Sequence, residues 1–212
     1  LLRLLIKKML IRKNQNKRGE IVMLKILFQG DSLTDCGRDK TGHNPVQAYG
    51  YGYVNLIASK LLCDYPDTVV WNKAYNGSRI ADTYSRWIED ALNIDCNILS
   101  ILSGVNDIGF AIRMNQGADA KKFKFIYELM INEALEIYSE SVLDTVSANV
   151  KKYRELRNFT QMQLALEIGM SGGAYLGRAE LRKSNHHFNI SHLAKISKIL
   201  NIPITLFFET KD

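Results

Sequence analysis

The chain is poor in cysteine, with only Cys36, Cys63 and Cys96 in 212 residues. An odd number of cysteines without metal-ligand spacing excludes a disulfide scaffold and a structural zinc site, and points to reduced thiols in a cytoplasmic protein. No apolar run is long enough to span a membrane. The short apolar stretch near the start has no small-residue cleavage site after it, which argues against a signal peptide. Gly30, Gly77 and Gly104 are not followed by the Lys-Ser/Thr of a phosphate-binding loop. Asp31, Asp35 and Asp39 read as the acidic start of a helix rather than an ion site, so neither metal nor cofactor is expected. What is present, 46% hydrophobic and 24% charged residues, is the balance of a soluble globular protein with room for one medium domain or two small ones.

The formal charge of +6 is unevenly spread. Residues 1–22 carry seven Lys/Arg against one Asp/Glu, residues 23–140 eleven against fifteen, and residues 141–212 ten against six. A mildly acidic middle lies between basic ends, so nucleic-acid contact belongs to the ends. The first segment can form a short basic amphipathic helix around residues 4–8. A membrane-surface role is disfavoured, and residues 1–22 are expected to be translated upstream sequence with Met23 as the start.

Chemistry concentrates in residues 24–36, LKILFQGDSLTDC. A short apolar strand running into Gly30-Asp31-Ser32 places a hydroxyl at the carboxyl edge of an α/β sheet, beside a helix N-terminus. Strands are expected over residues 23–28, 68–71 and 97–102, with helices over 54–62, 79–92 and 120–138 placed by apolar residues at helical spacing. This alternation predicts a parallel sheet with helices on both faces in a flavodoxin-like order. Residues 38–52, rich in Gly, Asp and aromatics, read as the rim of a site.

Gly30-Asp31-Ser32-Leu33, residues 72–78 (NKAYNGS) and residues 102–107 (LSGVND) together resemble, in order and spacing, the first three blocks of the GDSL or SGNH hydrolase family. The resemblance covers residues 23 to about 138. It implies that Ser32 is a nucleophile, and that Gly77 and Asn106 are oxyanion-hole residues, acting on a small acyl ester. The family's later Asp-x-x-His block is absent: the residues three before His43, His186, His187 and His192 are Lys40, Lys183, Ser184 and Asn189. The resemblance therefore implies a partial three-layer domain, an unpaired apolar edge on the third strand, and negligible ester turnover, because a hydroxyl needs a base at neutral pH. His43 is expected to be an exposed loop residue.

After residue 142 strand patterns stop and short helices follow, over residues 146–157, 160–168, 172–182, 190–200 and 204–208. Thr160 suits an N-cap and Gly169 a left-handed helix end. Ala165, Gly169 and Met170 have the spacing of a helix-turn-helix crossing. With Thr160-Gln161, Ser171, Glu180 and the closing Ile202-Pro203-Ile204-Thr205-Leu206-Phe207, residues 144–209 resemble the Cro/repressor-like helix-turn-helix family. This implies DNA as partner for residues 141–212, and binding as a homodimer. Gln161 and Lys183 are candidates for backbone phosphate. Ser171, Tyr175 and Arg178 are candidates for the major groove, with core packing an equal expectation for Tyr175 and a solvated surface for Arg178. His186, His187 and His192 are expected at phosphate or on the surface. One extra residue lies between Ser171 and Glu180, and Gly172-Gly173 stand where side chains for base contact are usual, which argues against strong sequence specificity.

The expected layout is thus a basic extension (1–22), a partial hydrolase-like domain (23–140) and a small all-α DNA-binding domain (141–212). Four functions follow: an ester hydrolase taking its base from elsewhere, a DNA-binding regulator, a regulator whose idle hydrolase fold binds an acylated effector, and a fusion of two unrelated reading frames. The abrupt change near residue 140 favours the last.

Overall fold

The computed structural model describes residues 23–210, and the chain divides into two compact units, the first ending at Asn132 and the second starting at Glu133. The expected basic helix near residues 4–8 lies outside the described residues.

The first unit is built on three strands, β1 (Lys25–Gly30), β2 (Val69–Asn72) and β3 (Ile98–Leu102). All are parallel, in the order β2-β1-β3. Side chains alternate across β1. Leu24, Ile26 and Phe28 join Val70 and pack on Val54, Ala58 and Leu61 of α2 (Tyr53–Asp64). Gln29 points the other way, and its side chain donates to the Asp90 carbonyl at 2.7 Å. β1 is buried along nearly its whole length. β3 is half-buried, ends in an exposed Leu102, and pairs with β1 alone among the described residues. Among the described residues β3 therefore has one unpaired edge and a partly open apolar face.

A single helical turn, α1 (Ser32–Asp35), follows β1. The helix expected over residues 79–92 is broken into α3 (Ile80–Ser85) and a π-helical turn (Ile88–Leu92). The break coincides with a long-range contact: Trp87 is buried, and the Gln29 side chain, 61 positions away, donates to the Asp90 carbonyl. Helix α4 (Val105–Met114) was not anticipated from the apolar pattern. Its Val105, Ile108, Ile112 and Met114 are exposed, so it carries no core-facing stripe for periodicity to detect.

A second correction concerns residues 120–157, where two helices were expected. One 37-residue helix, α5 (Ala120–Leu156), runs through both. The stretch contains neither Gly nor Pro. The hydroxyls of Ser139, Ser141 and Thr145 bond back to carbonyls one turn earlier, so polar residues that resemble a linker are accommodated inside the helix.

The second unit contains α6 (Gln161–Glu167), α7 (Gly173–Glu180), α8 (Ile190–Leu200) and a closing 3-10 turn (Ile204–Phe208). Thr160 caps α6 reciprocally with Gln163. Val146, Val150, Leu164, Ala165, Leu176, Leu193, Ile196, Leu200 and Phe207 form its core. Asn149 sends its amide to the carbonyls of Phe207 and Glu209, fastening the closing turn. Among the described residues no helix is long and apolar enough to cross a membrane, and Cys36, Cys63 and Cys96 are free thiols.

Candidate active site and the helical unit

The site expected in the first unit gathers where the three strands end. Asp31 caps α1, its carboxylate accepting from Leu33 N–H at 3.0 Å, and Ser32 is the first residue of that turn. Gly30 is required by close approach: a Cβ there would lie 2.2 Å from the Leu102 carbonyl and 2.6 Å from Thr34 Oγ1. β1 and β3 therefore finish in contact, with Gly30 opposite Leu102. Thr34 Oγ1 in turn meets the Tyr53 hydroxyl at 2.9 Å, and burial pushes that phenol's pKa up.

The loop after β2 carries Gly77. Gly77 has φ +79 with open space around its Cβ position, so backbone conformation rather than crowding favours glycine there. Four contacts fix this loop against the other two. Tyr75 N–H donates to the Gly30 carbonyl at 3.2 Å. Asn76 N–H donates to the fully buried Asp35 carboxylate at 2.7 Å. Asn106 Nδ2 donates to the Ser78 carbonyl at 2.9 Å. The buried Asp107 carboxylate accepts from Ile80 N–H at 2.9 Å and from Ala118 N–H at 3.3 Å. Asp35 and Asp107 were not singled out as loop-holding residues from sequence. Their only available signal was a carboxylate next to each motif, which also describes an ordinary surface acid.

The loops bearing Ser32, Gly77 and Asn106 are thus brought together. Ser32 is half-buried and Gly77 exposed, and Asn106 keeps a second amide proton after its bond to Ser78. Among the described residues no histidine is hydrogen-bonded to Ser32. His43 is exposed, with Nδ1 2.7 Å from Thr41 Oγ1. His186 and His187 bond backbone carbonyls of their own loop. His192 Nδ1 is buried without a partner, and burial followed by the Lys195 charge holds its pKa below the ordinary value. The three early aspartates have separate tasks. Asp31 caps α1, Asp35 holds the Asn76 turn, and Asp39 accepts from Thr41 and Asn44, which lower its pKa to about 2. Among the described residues no three His, Cys, Asp or Glu side chains cluster as metal ligands.

In the second unit the five residues expected to face DNA divide. Ser171, Arg178 and Lys183 are exposed. Gln161 is tied inward, its Nε2 donating to Glu180 Oε2 at 2.8 Å. Tyr175 donates its hydroxyl to the His187 carbonyl at 2.9 Å and packs edge-on against His186 and His192. The organising contact is one sequence reasoning missed: Arg154 of α5 and Glu180 of α7, 6% and 5% exposed, pair through two hydrogen bonds of 2.5 and 3.0 Å. Arg154 also donates to the Phe159 carbonyl at 2.8 Å. Its pKa is raised chiefly by the bond to Glu180.

The glycines of α7 have a packing reason. A Cβ on Gly173 would come within 3.1 Å of Met162 N, and one on Gly177 within 2.8 Å of Gln161 Oε1. Gly173 thus faces the start of α6, where two backbones nearly touch.

A sequence model of the GDSL-like lipase/acylhydrolase family matches residues 28–167. An acetylxylan esterase of Geobacillus stearothermophilus is 39% identical over 87 residues, which are 40% of this chain and 40% of that protein. The structure of a catalytic mutant of an acetylxylan esterase from the same organism aligns with TM-score 0.51 and 28% identity, covering 55% of this chain and 57% of that one. An alpha/beta hydrolase enzyme from the metagenome of Lake Arreo, Spain, aligns with TM-score 0.50 and 22% identity over 55% of this chain and 58% of that one, a likeness of fold alone. The chain spans less than three fifths of the length of each of these relatives. With a family match running over most of its described length, the chain belongs to the GDSL-like lipase/acylhydrolase family.

Proposed function

We propose that residues 23–140 form an ester-hydrolase region for small acyl esters, with acetyl groups on carbohydrate as the favoured class, and that this region lacks its base. The observation that carries the reading is the tying together of three loops: Asn106 holds Ser78, Asp35 holds Asn76, and Tyr75 reaches Gly30. In the proposed reaction Ser32 Oγ attacks the acyl carbonyl carbon, and its proton passes to a base supplied from outside this region. The carbonyl oxygen becomes an oxyanion facing the N–H groups of Ser32 and Gly77 and the Asn106 amide. Collapse of the adduct expels the alcohol, which takes the proton, and water then releases the acid by the same route. Without a base, about 10³–10⁴-fold catalysis over water is the residue left by binding and an oxyanion hole. The test is hydrolysis of an activated acetyl ester by the purified chain beside Ser32→Ala. Turnover near background in both is expected. Multiple turnovers abolished by Ser32→Ala would show that a base is supplied.

A second reading is favoured by the helical unit. We infer that residues 141–212 form a helix-turn-helix module that binds DNA as a homodimer, presenting Ser171, Arg178 and Lys183. Gln161 serves by fixing Glu180 and Arg154 rather than by reaching phosphate. The support is the buried Arg154–Glu180–Gln161 network, which joins the three helices such a module needs in register, and the excess of ten Lys/Arg over six Asp/Glu. Titration of the full chain with duplex DNA tests it: affinity should fall steeply with salt and weaken in Arg178→Ala. Binding indifferent to salt would refute it. Reduced cysteines fit a cytoplasmic place for such a regulator.

A further inference from the structure

Residues 23–132 carry eleven Lys/Arg against twelve Asp/Glu, yet three of these cations surround one ring. Arg38 Cζ lies 4.9 Å, Lys40 Nζ 5.3 Å and Arg86 Cζ 4.3 Å from the centroid of Tyr75. Tyr75 immediately precedes Asn76 and Gly77, and its N–H is bonded to the Gly30 carbonyl, two residues from Ser32. We propose that Arg38, Lys40 and Arg86 form a subsite beside the Ser32 turn for an anionic group, a carboxylate or a phosphate, on the ester substrate.

A tyrosine face attracts a cation, but three cations at one ring repel one another, and the neutralisation around them is incomplete. Lys40 meets the Asp35 carboxylate at 2.6 Å and Arg86 approaches Asp90 at 3.3 Å. Arg38 has no carboxylate on its guanidinium among the described residues. Its Nε donates to the Ala74 carbonyl at 2.8 Å, and its Nη2 is buried without an acceptor. Asp39, next in sequence to Lys40, is occupied by Thr41 and Asn44. Arg79 is not part of the group, because both oxygens of Asp82 hold it. The Lys40 and Arg86 side chains keep 35% and 30% of their surface open to solvent, so a ligand can reach them. Arg86 also donates to Ser78 Oγ at 2.9 Å, which connects the cation group to the turn that carries Gly77. The open Arg86 guanidinium and Lys40 ammonium, backed by the buried and unneutralised Arg38, suit a planar carboxylate or a phosphate. The group is placed for a substituent near the acyl carbon rather than for the acyl group itself.

This proposal rests on the ester reading of Ser32, and its test separates the two. The full chain is titrated calorimetrically at low salt with sodium glucuronate, with inorganic phosphate and with neutral xylobiose. One anion or both are expected to bind, and the tighter of the two identifies the anion class. Arg38→Gln and Arg86→Gln should each weaken binding at least tenfold, Lys40→Gln less, and Arg38→Lys should recover part of the loss while keeping the fold. Salt should weaken anion binding and leave xylobiose unaffected. Ser32→Ala should bind the anion as the parent does, so loss of the ester reading leaves this result standing. Failure of both anions to bind, or equal binding by the parent and all four cation variants, would overturn the subsite.

Discussion

Removing Glu180 tests how the helical unit is held. Its carboxylate is fully buried and takes hydrogen bonds from Arg154 Nε, Arg154 Nη2 and Gln161 Nε2. Glu180→Leu preserves the volume but strands a buried guanidinium, whose remaining bonds go to the Phe159 carbonyl and to Glu155. Breaking a buried pair from one side costs about 3–5 kcal/mol, whereas replacing both partners by apolar residues is often neutral or stabilising. For a unit of this size each kcal/mol shifts the midpoint by roughly 4–8 °C. Glu180→Leu alone should therefore lower the midpoint by some 12 °C or more (about 3 kcal/mol at about 4 °C each), while Arg154→Met with Glu180→Leu should recover most of it. Trp71 and Trp87 both belong to the first unit, so tryptophan fluorescence reads the wrong region. Hydrogen exchange of peptides spanning residues 161–200, with the full chain in rising urea, reads the right one. A cycle in which the single changes each lose under about 1 kcal/mol, or in which their losses simply add, would refute the account.

Gly30→Ala should be the most damaging small change in the first unit. Its Cβ would sit 2.2 Å from the Leu102 carbonyl, and forcing atoms into a packed site costs about 1–3 kcal/mol or more; an unfolding midpoint matching the parent's would contradict the close approach of β1 and β3. The Asp39 carboxyl should titrate at about 2, held down first by the Thr41 hydroxyl. A folded pKa below the ordinary value gives a contribution present above that value and lost as pH falls through about 2. Thr41→Val should move the NMR titration midpoint up toward 3.8, and an unmoved midpoint would assign the shift to the backbone donors instead.

Much of this was legible in the chain itself. The strand of residues 25–30 showed as a short apolar run, and the turn after it as Gly-Asp-Ser, because a buried strand and a sharp exit leave local marks. Thr160, Gly169 and residues 190–200 were equally readable, since caps, left-handed ends and amphipathic stripes are set within a few residues. The order β2-β1-β3 is the start of the flavodoxin-like order that the strand-helix alternation predicts. Elsewhere the chain was silent. Nothing local says that residues 120–156 continue as one helix, because Ser139, Ser141 and Thr145 favour turns when unsupported and bond back to the ladder only once the helix exists. Nothing local breaks residues 79–92; the break coincides with a bond from Gln29, 61 positions away from Asp90. The bond between Asn106 and Ser78, the pair of Arg154 and Glu180, and the three cations round Tyr75 are likewise contacts across 28, 26 and up to 37 positions of chain. Sequence determined the pieces whose energies are local. Tertiary structure decided which polar groups meet, because a buried charge or amide is stable only beside a partner that the fold, and not its neighbours in the chain, brings to it.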